Sequence, residues 1–122
     1  MNPNERQVGG THYANEYQHW DWVEDCNMGY LEGNASKYIT RHRFKGQAVE
    51  DLRKARHYVE KLRDRRVERV RQLADVVIKC HEFAAQYNDV EAEALTLLCY
   101  NRGHDRVLEL IDRMMGYATA DV

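Results

Sequence analysis

Val49, Leu52, Ala55, Val59 and Leu62 recur at intervals of three and four residues, which puts all five on one side of an α-helix. The helix opens with Glu50-Asp51 in its first turn, where negative charge suits the positive end of the macrodipole. A stripe this long must be covered by another apolar surface, and nothing in the chain offers a sheet for the purpose. No useful length alternates apolar and polar residues with β-branched enrichment. Proline occurs once, at Pro3, and no Gly/Ser-rich or Pro-rich linker divides the chain. The expected fold is all-α: a compact bundle of about four to five helices with an irregular N-terminal arm.

Residues 1–15 are polar, contain Gly9-Gly10 and form the arm. Residues 18–28 make a short aromatic-rich helix ended by Gly29. Gly33-Asn34 opens the next, since Asn accepts well at an N-cap, and Ala35, Tyr38, Ile39 and His42 then share a face. That helix stops near Phe44, and Lys45-Gly46 makes the turn. After Leu62 the apolar register is lost across Arg63-Asp64-Arg65-Arg66 and resumes at Val70, Leu73, Val77 and Cys80, which fits either one long helix or a break. Asn88-Asp89 caps a helix through Tyr100 that Gly103 ends, and residues 105–115 supply a last one ending at Gly116. With 122 residues and 43% apolar content the chain suits one domain. Its parts are the arm, a region over residues 16–62, and a helical extension over 67–122 that is a candidate oligomerisation element.

The net charge of −2 conceals a segregation. Residues 1–34 hold one basic side chain against six acidic, residues 35–71 thirteen against five, and residues 72–122 four against nine. A basic middle favours phosphate-bearing partners, and it could equally pair with the acidic ends within or between subunits. The acids interspersed between Arg53 and Arg71 argue against a nucleic-acid partner. No window nears the roughly 18 apolar residues a membrane helix needs, and the polar start lacks a signal peptide's apolar stretch, so a cytoplasmic protein is expected. Cys26, Cys80 and Cys99 are odd in number and widely spaced, which predicts reduced, buried thiols. The six histidines show no metal-ligand spacing, so no metal site is predicted.

Three strings stand out: Val8-Gly9-Gly10-Thr11-His12-Tyr13; Gly33-Asn34-Ala35-Ser36-Lys37-Tyr38-Ile39-Thr40-Arg41; and Asp51-Leu52-Arg53-Lys54-Ala55. In order and spacing they resemble the small phage-encoded nucleotide kinases that lack a P-loop, whose pattern is a Gly-Gly-x-His-Tyr arm, a Gly-Asn-Ala-x-Lys-Tyr-x-x-Arg helix and an Asp-Leu-x-Lys-Ala helix. The resemblance covers about residues 8–62. It implies phosphoryl transfer from a nucleoside triphosphate to a deoxynucleoside monophosphate in the cytoplasm of an infected host cell, by a homo-oligomer. After Arg41 such kinases commonly continue Ala-Gly where this chain has His42-Arg43-Phe44, which leaves the turn's shape open.

With no Walker string present, phosphate must be held by helix N-termini and basic side chains. Backbone N–H groups of residues 34–36, with Lys37 and Arg41 one turn apart, form a candidate clamp, joined by Lys45 and Lys54. Gly9 and Gly10 could admit a phosphate to the backbone, and His12 and Tyr13 could touch phosphate, sugar or base. Lys37, Arg41 and His12 are the catalytic candidates, His12 because its ordinary pKa near 6.5 allows either protonation state. Tyr38 is the aromatic expected to meet a base. Magnesium could arrive with the triphosphate, held by a carboxylate such as Asp51 or Glu50. The bland reading is that Lys37 and Arg41 line a solvated face or pair with Asp51 and Glu50. The alternative function is a noncatalytic binder of a nucleotide or nucleotide signal that acts on a host protein.

Overall fold

The computed structural model describes residues 17–44, 46–65 and 73–120. The arm with Gly9, Gly10, His12 and Tyr13, together with Lys45, Val70 and the choice between a long helix and a break, lies outside the described residues. Six α-helices are present rather than four to five: α1 His19–Asp25, α2 Tyr30–Arg41, α3 Ala48–Arg65, α4 Leu73–Ala84, α5 Asp89–Tyr100 and α6 His104–Ala120. No strand occurs among the described residues, and no helix there is long and apolar enough to cross a membrane.

α3 organises the bundle, packing against α2 on one side and α6 on the other. Of its predicted stripe, Leu52, Ala55, Val59 and Leu62 are buried and Val49 is half-buried. Each large aliphatic side chain withdrawn from water in this way contributes about 1.5–3 kcal/mol. α5 packs on α6 and α4, and α1 reaches α4 through a stack of Trp22 on Phe83, centroids 4.4 Å apart and planes 14° from parallel. Tyr17 meets Phe83 edge-on, and Tyr87 leans on it.

Several boundaries differ from the sequence reading. α2 begins one turn earlier than Asn34, with Gly29 as N-cap, because the Glu32 carboxylate reaches back to accept from the Gly29 N–H at 2.9 Å. Asn34 therefore sits inside the helix, and its side chain donates to the Tyr30 carbonyl at 2.8 Å. On α4 the buried line is Val76, Cys80, Phe83 and Ala84, while Val77 is exposed; the phase is set by Phe83 meeting Trp22. α5 ends at Asn101, in the left-handed conformation at φ 53°, ahead of Gly103. α6 runs through Gly116, where a glycine at ordinary helical φ is no stop signal.

The start of α5 is as predicted: Asn88 Oδ1 accepts from the Glu91 N–H at 2.8 Å, and Glu91 accepts in return from the Asn88 N–H. Cys26, Cys80 and Cys99 are wholly buried and no disulfide joins them, yet they converge. Cys99 hydrogen-bonds to Cys26 and to Cys80, and those bonds, together with burial, push its thiol well above the usual range.

Candidate functional site

The four described candidates of α2 form one stripe at spacings of three and four: Asn34, Lys37, Tyr38 and Arg41. The structure divides them. Asn34 and Lys37 line an open groove of about 740 Å³ between α1 and the start of α2. Its other walls are His19, Trp20, Asp21, Val23, Glu24, Met28, Gly29, Tyr30 and Gly33. Lys37 is exposed, Trp20 is 54% exposed and Tyr30 73%, so two aromatic surfaces stand beside one ammonium group. A cleft of this volume lies within the range of small-molecule sites, and it mixes charged and polar side chains with aromatic rings.

A Cβ on Gly33 would lie 3.5 Å from Val23, an ordinary contact, so α1 crosses α2 there without obstruction. About one turn along the helix, buried Ser36 donates its hydroxyl proton to the Gly33 carbonyl at 3.0 Å, so its lone pair accepts from His19 Nε2 at 2.7 Å. Burial, and next the positive charge of Lys37, pull His19 down to about 4, so it is neutral near pH 7.

Tyr38 and Arg41 face α3 instead. Arg41 directs Nε and Nη2 at Asp51 Oδ1, 3.4 and 3.2 Å away, and its guanidinium lies 4.6 Å from the Tyr38 ring centroid. Lys54 approaches the same ring at 5.4 Å and lies 3.8 Å from Glu50. The ring stacks on Tyr58, centroids 5.9 Å apart, and Tyr58 meets Tyr30 edge-on. A hydrogen bond to Tyr30 is the main cause of the raised Tyr58 phenol. Tyr38, singled out for base stacking, is thus engaged by Tyr58 and two cations; Trp20 and Tyr30, the latter also in contact with Tyr58, are the more exposed rings. The backbone N–H groups of residues 34–36 belong to the helical ladder, so that part of the expected clamp is absent. Asp51 is wholly buried against Arg41, which removes it as a ready magnesium ligand; its Oδ2 has no hydrogen-bond partner among the described residues.

His42 and Arg43 have partners far along the chain. Arg43 grips Glu91 with two bonds, 2.7 and 2.8 Å, and Glu91 is buried. His42 donates from Nδ1 to the Ile39 carbonyl, which can only accept, and so turns Nε2 toward Glu91 at 3.6 Å. Two further pairs join the basic middle to the acidic C-terminal part: Arg56 with Asp112 at 2.8 Å, and Arg63 with Asp105 at 3.6 Å. Much of the charge segregation is therefore matched within the chain. No group of residues suited to hold a metal ion occurs among the described residues.

Sequence reasoning singled out Tyr38 rather than Trp20 or Tyr30 and passed over His19, Asp21 and Glu24, because α1 carries no motif and its place beside α2 is tertiary. No curated protein and no solved structure matches the chain. Residues 9–60, which include the whole groove, match a family described as a protein of unknown function, DUF3310.

Proposed function

We propose that the protein is a nucleotide kinase-like phosphotransferase, moving a phosphoryl group from a nucleoside triphosphate to a deoxynucleoside monophosphate without a Walker loop. The observation that carries this reading is the groove: Lys37, Asn34 and the open rings of Trp20 and Tyr30 share one cleft. The resemblance of the three motifs to phage nucleotide kinases supplies the reaction, and the cytoplasm of an infected cell is its setting. Phosphoryl transfer asks chiefly for alignment and neutralisation of charge. Lys37 supplies charge at the groove, and Arg41, held between Asp51 and Tyr38, supplies it one turn later. Magnesium carried by the triphosphate would find the exposed carboxylate of Glu50 beside Lys54. Subunits of a homo-oligomer would meet through exposed apolar side chains such as Ile78 of α4 and Tyr117 of α6.

The test is incubation of the purified protein with each deoxynucleoside monophosphate and a triphosphate donor, with products separated by chromatography. Diphosphate should form, and Lys37→Ala should abolish it while leaving the helical circular dichroism unchanged; undiminished turnover in that variant refutes the site. A second reading, a noncatalytic binder of a nucleotide or nucleotide signal directed at a host protein, is favoured by the engagement of Arg41 with buried Asp51. Saturable binding without product selects it.

A further inference from the structure

Two places on α2, rather than one, offer charge to a phosphate, and they differ in kind. The groove sets the single ammonium of Lys37 among the carboxylates of Asp21 and Glu24 beside two open aromatic rings. That balance suits a base and sugar bearing one phosphate and opposes a chain of three. The α3 side sets Arg41 and Lys54 around one tyrosine ring. Arg41 Nη1 has no hydrogen-bond partner among the described residues, because Asp51 takes only Nε and Nη2. Farther along the same face of α3, His57 and Lys61 are exposed and make no ion pair among the described residues. Asp51 and Glu50 offset the two cations at the ring, and the exposed ammonium of Lys61 leaves this side more cationic than the groove, while Tyr38 is covered by Tyr58, Arg41 and Lys54.

We propose that α2 separates two subsites: the groove holds the nucleoside monophosphate, its base against Trp20 or Tyr30 and its phosphate at Lys37, and the Arg41–Lys54 pair holds the polyphosphate of the triphosphate. The assignment rests on the kinase reading above and adds to it which residues serve which substrate. Lys37 and Arg41 are four residues apart, about 6 Å along the helix axis, a separation that sets acceptor and donor phosphates side by side. In the transfer, an anionic oxygen of the monophosphate forms the new P–O bond to the terminal phosphorus. The bond from that phosphorus to the bridging oxygen breaks, and its electrons stay on the departing diphosphate. No base is required, because the attacking oxygen is already deprotonated.

The experiment is calorimetric titration of the full chain with each deoxynucleoside monophosphate, with a β,γ-imido triphosphate that cannot transfer its phosphoryl group, and with the monophosphate again after saturation by that analogue. Monophosphate should still bind the analogue-saturated protein. Lys37→Ala should weaken monophosphate at least tenfold and the analogue less than twofold, and Lys54→Ala should do the reverse. Arg41→Ala should follow Lys54→Ala, and Lys54→Ala keeps the comparison sound if loss of Arg41 unfolds the chain by leaving Asp51 buried and unpaired. Displacement of one ligand by the other, or equal weakening of both in every variant, overturns the two-subsite assignment while leaving nucleotide binding in place. Failure of either ligand to bind the unaltered chain overturns the kinase reading and the assignment with it.

Discussion

Acidifying the protein from pH 7 to pH 5 should remove about 2 kcal/mol of stability through His19 alone. In the folded chain this imidazole is half-buried beside Trp22 and Phe83, with ring centroids 5.8 and 6.0 Å away, and it takes up a proton only near pH 4. Unfolded, it takes up the proton at its ordinary 6.5. Between those values the unfolded chain binds more protons, so stability falls as pH falls. It is fully present above 6.5, and the whole loss, about 3 kcal/mol, is reached below 4. Urea unfolding of the protein and of His19→Gln at pH 7, 6 and 5 isolates the effect. Glutamine keeps an N–H to donate to Ser36, and carboxylates common to both proteins cancel in the difference. The natural chain should lose about 2 kcal/mol more than the variant between pH 7 and pH 5. Parallel pH profiles would refute the claim that α1 holds this ring neutral against α2.

Other perturbations probe the elements around the site. Phe83→Ala should destabilise by about 3–5 kcal/mol and erase the near-ultraviolet dichroism of Trp22, since the stack joining α1 to α4 is lost. Arg43→Ala should cost about 2 kcal/mol in urea unfolding, less than a fully buried pair because Arg43 is half exposed, with Glu91 left to His42 and Asn88. Two glycine replacements should have opposite signs. Gly103→Ala, at φ +63° with its Cβ 3.1 Å from Leu97, should lower the thermal midpoint by about 1–2 kcal/mol equivalent, whereas Gly116→Ala, in open space within α6, should raise it by about 0.5–1.

The sequence exposed what is local and hid what is tertiary. The α3 stripe was legible because four of its five positions are buried at regular helical spacing. The Asn88 cap was legible because its partner Glu91 is three residues away. The start of α2 was misread because two capping patterns compete there: Asn34 resembles an N-cap by type, but Glu32 and Gly29 form the bond earlier. On α4 the phase depended on Phe83 meeting Trp22, and Val77 and Val76 are alike to any propensity scale. The convergence of three cysteines from α4, α5 and the end of α1 has no signature in their spacing. Within the site, the α2 stripe was readable as a stripe. Its division between a groove and a cation pair was not, because the division depends on α1 lying against one flank and α3 against the other.

The segment that carries the motifs sets only part of its own geometry. α3 buries Leu52, Ala55, Val59 and Leu62 between α2 and α6, so the helix bearing Asp51 and Lys54 is positioned partly from the C-terminal side. α1, which forms one wall of the groove, is anchored by Trp22 on Phe83. Arg43, standing just where the resembling kinases commonly have a small residue, reaches the carboxylate that also closes the N-terminus of α5. Each link leaves the region of residues 9–60 and ends in residues 73–120. A change in α4–α6 can therefore act on the groove without touching it, by tilting α1 through Phe83 or by loosening the end of α2 through Glu91. This gives the extension a part in the groove's geometry. It also gives a physical reason for His42-Arg43: with a buried glutamate on α5 to satisfy, this chain needs a cation at the turn.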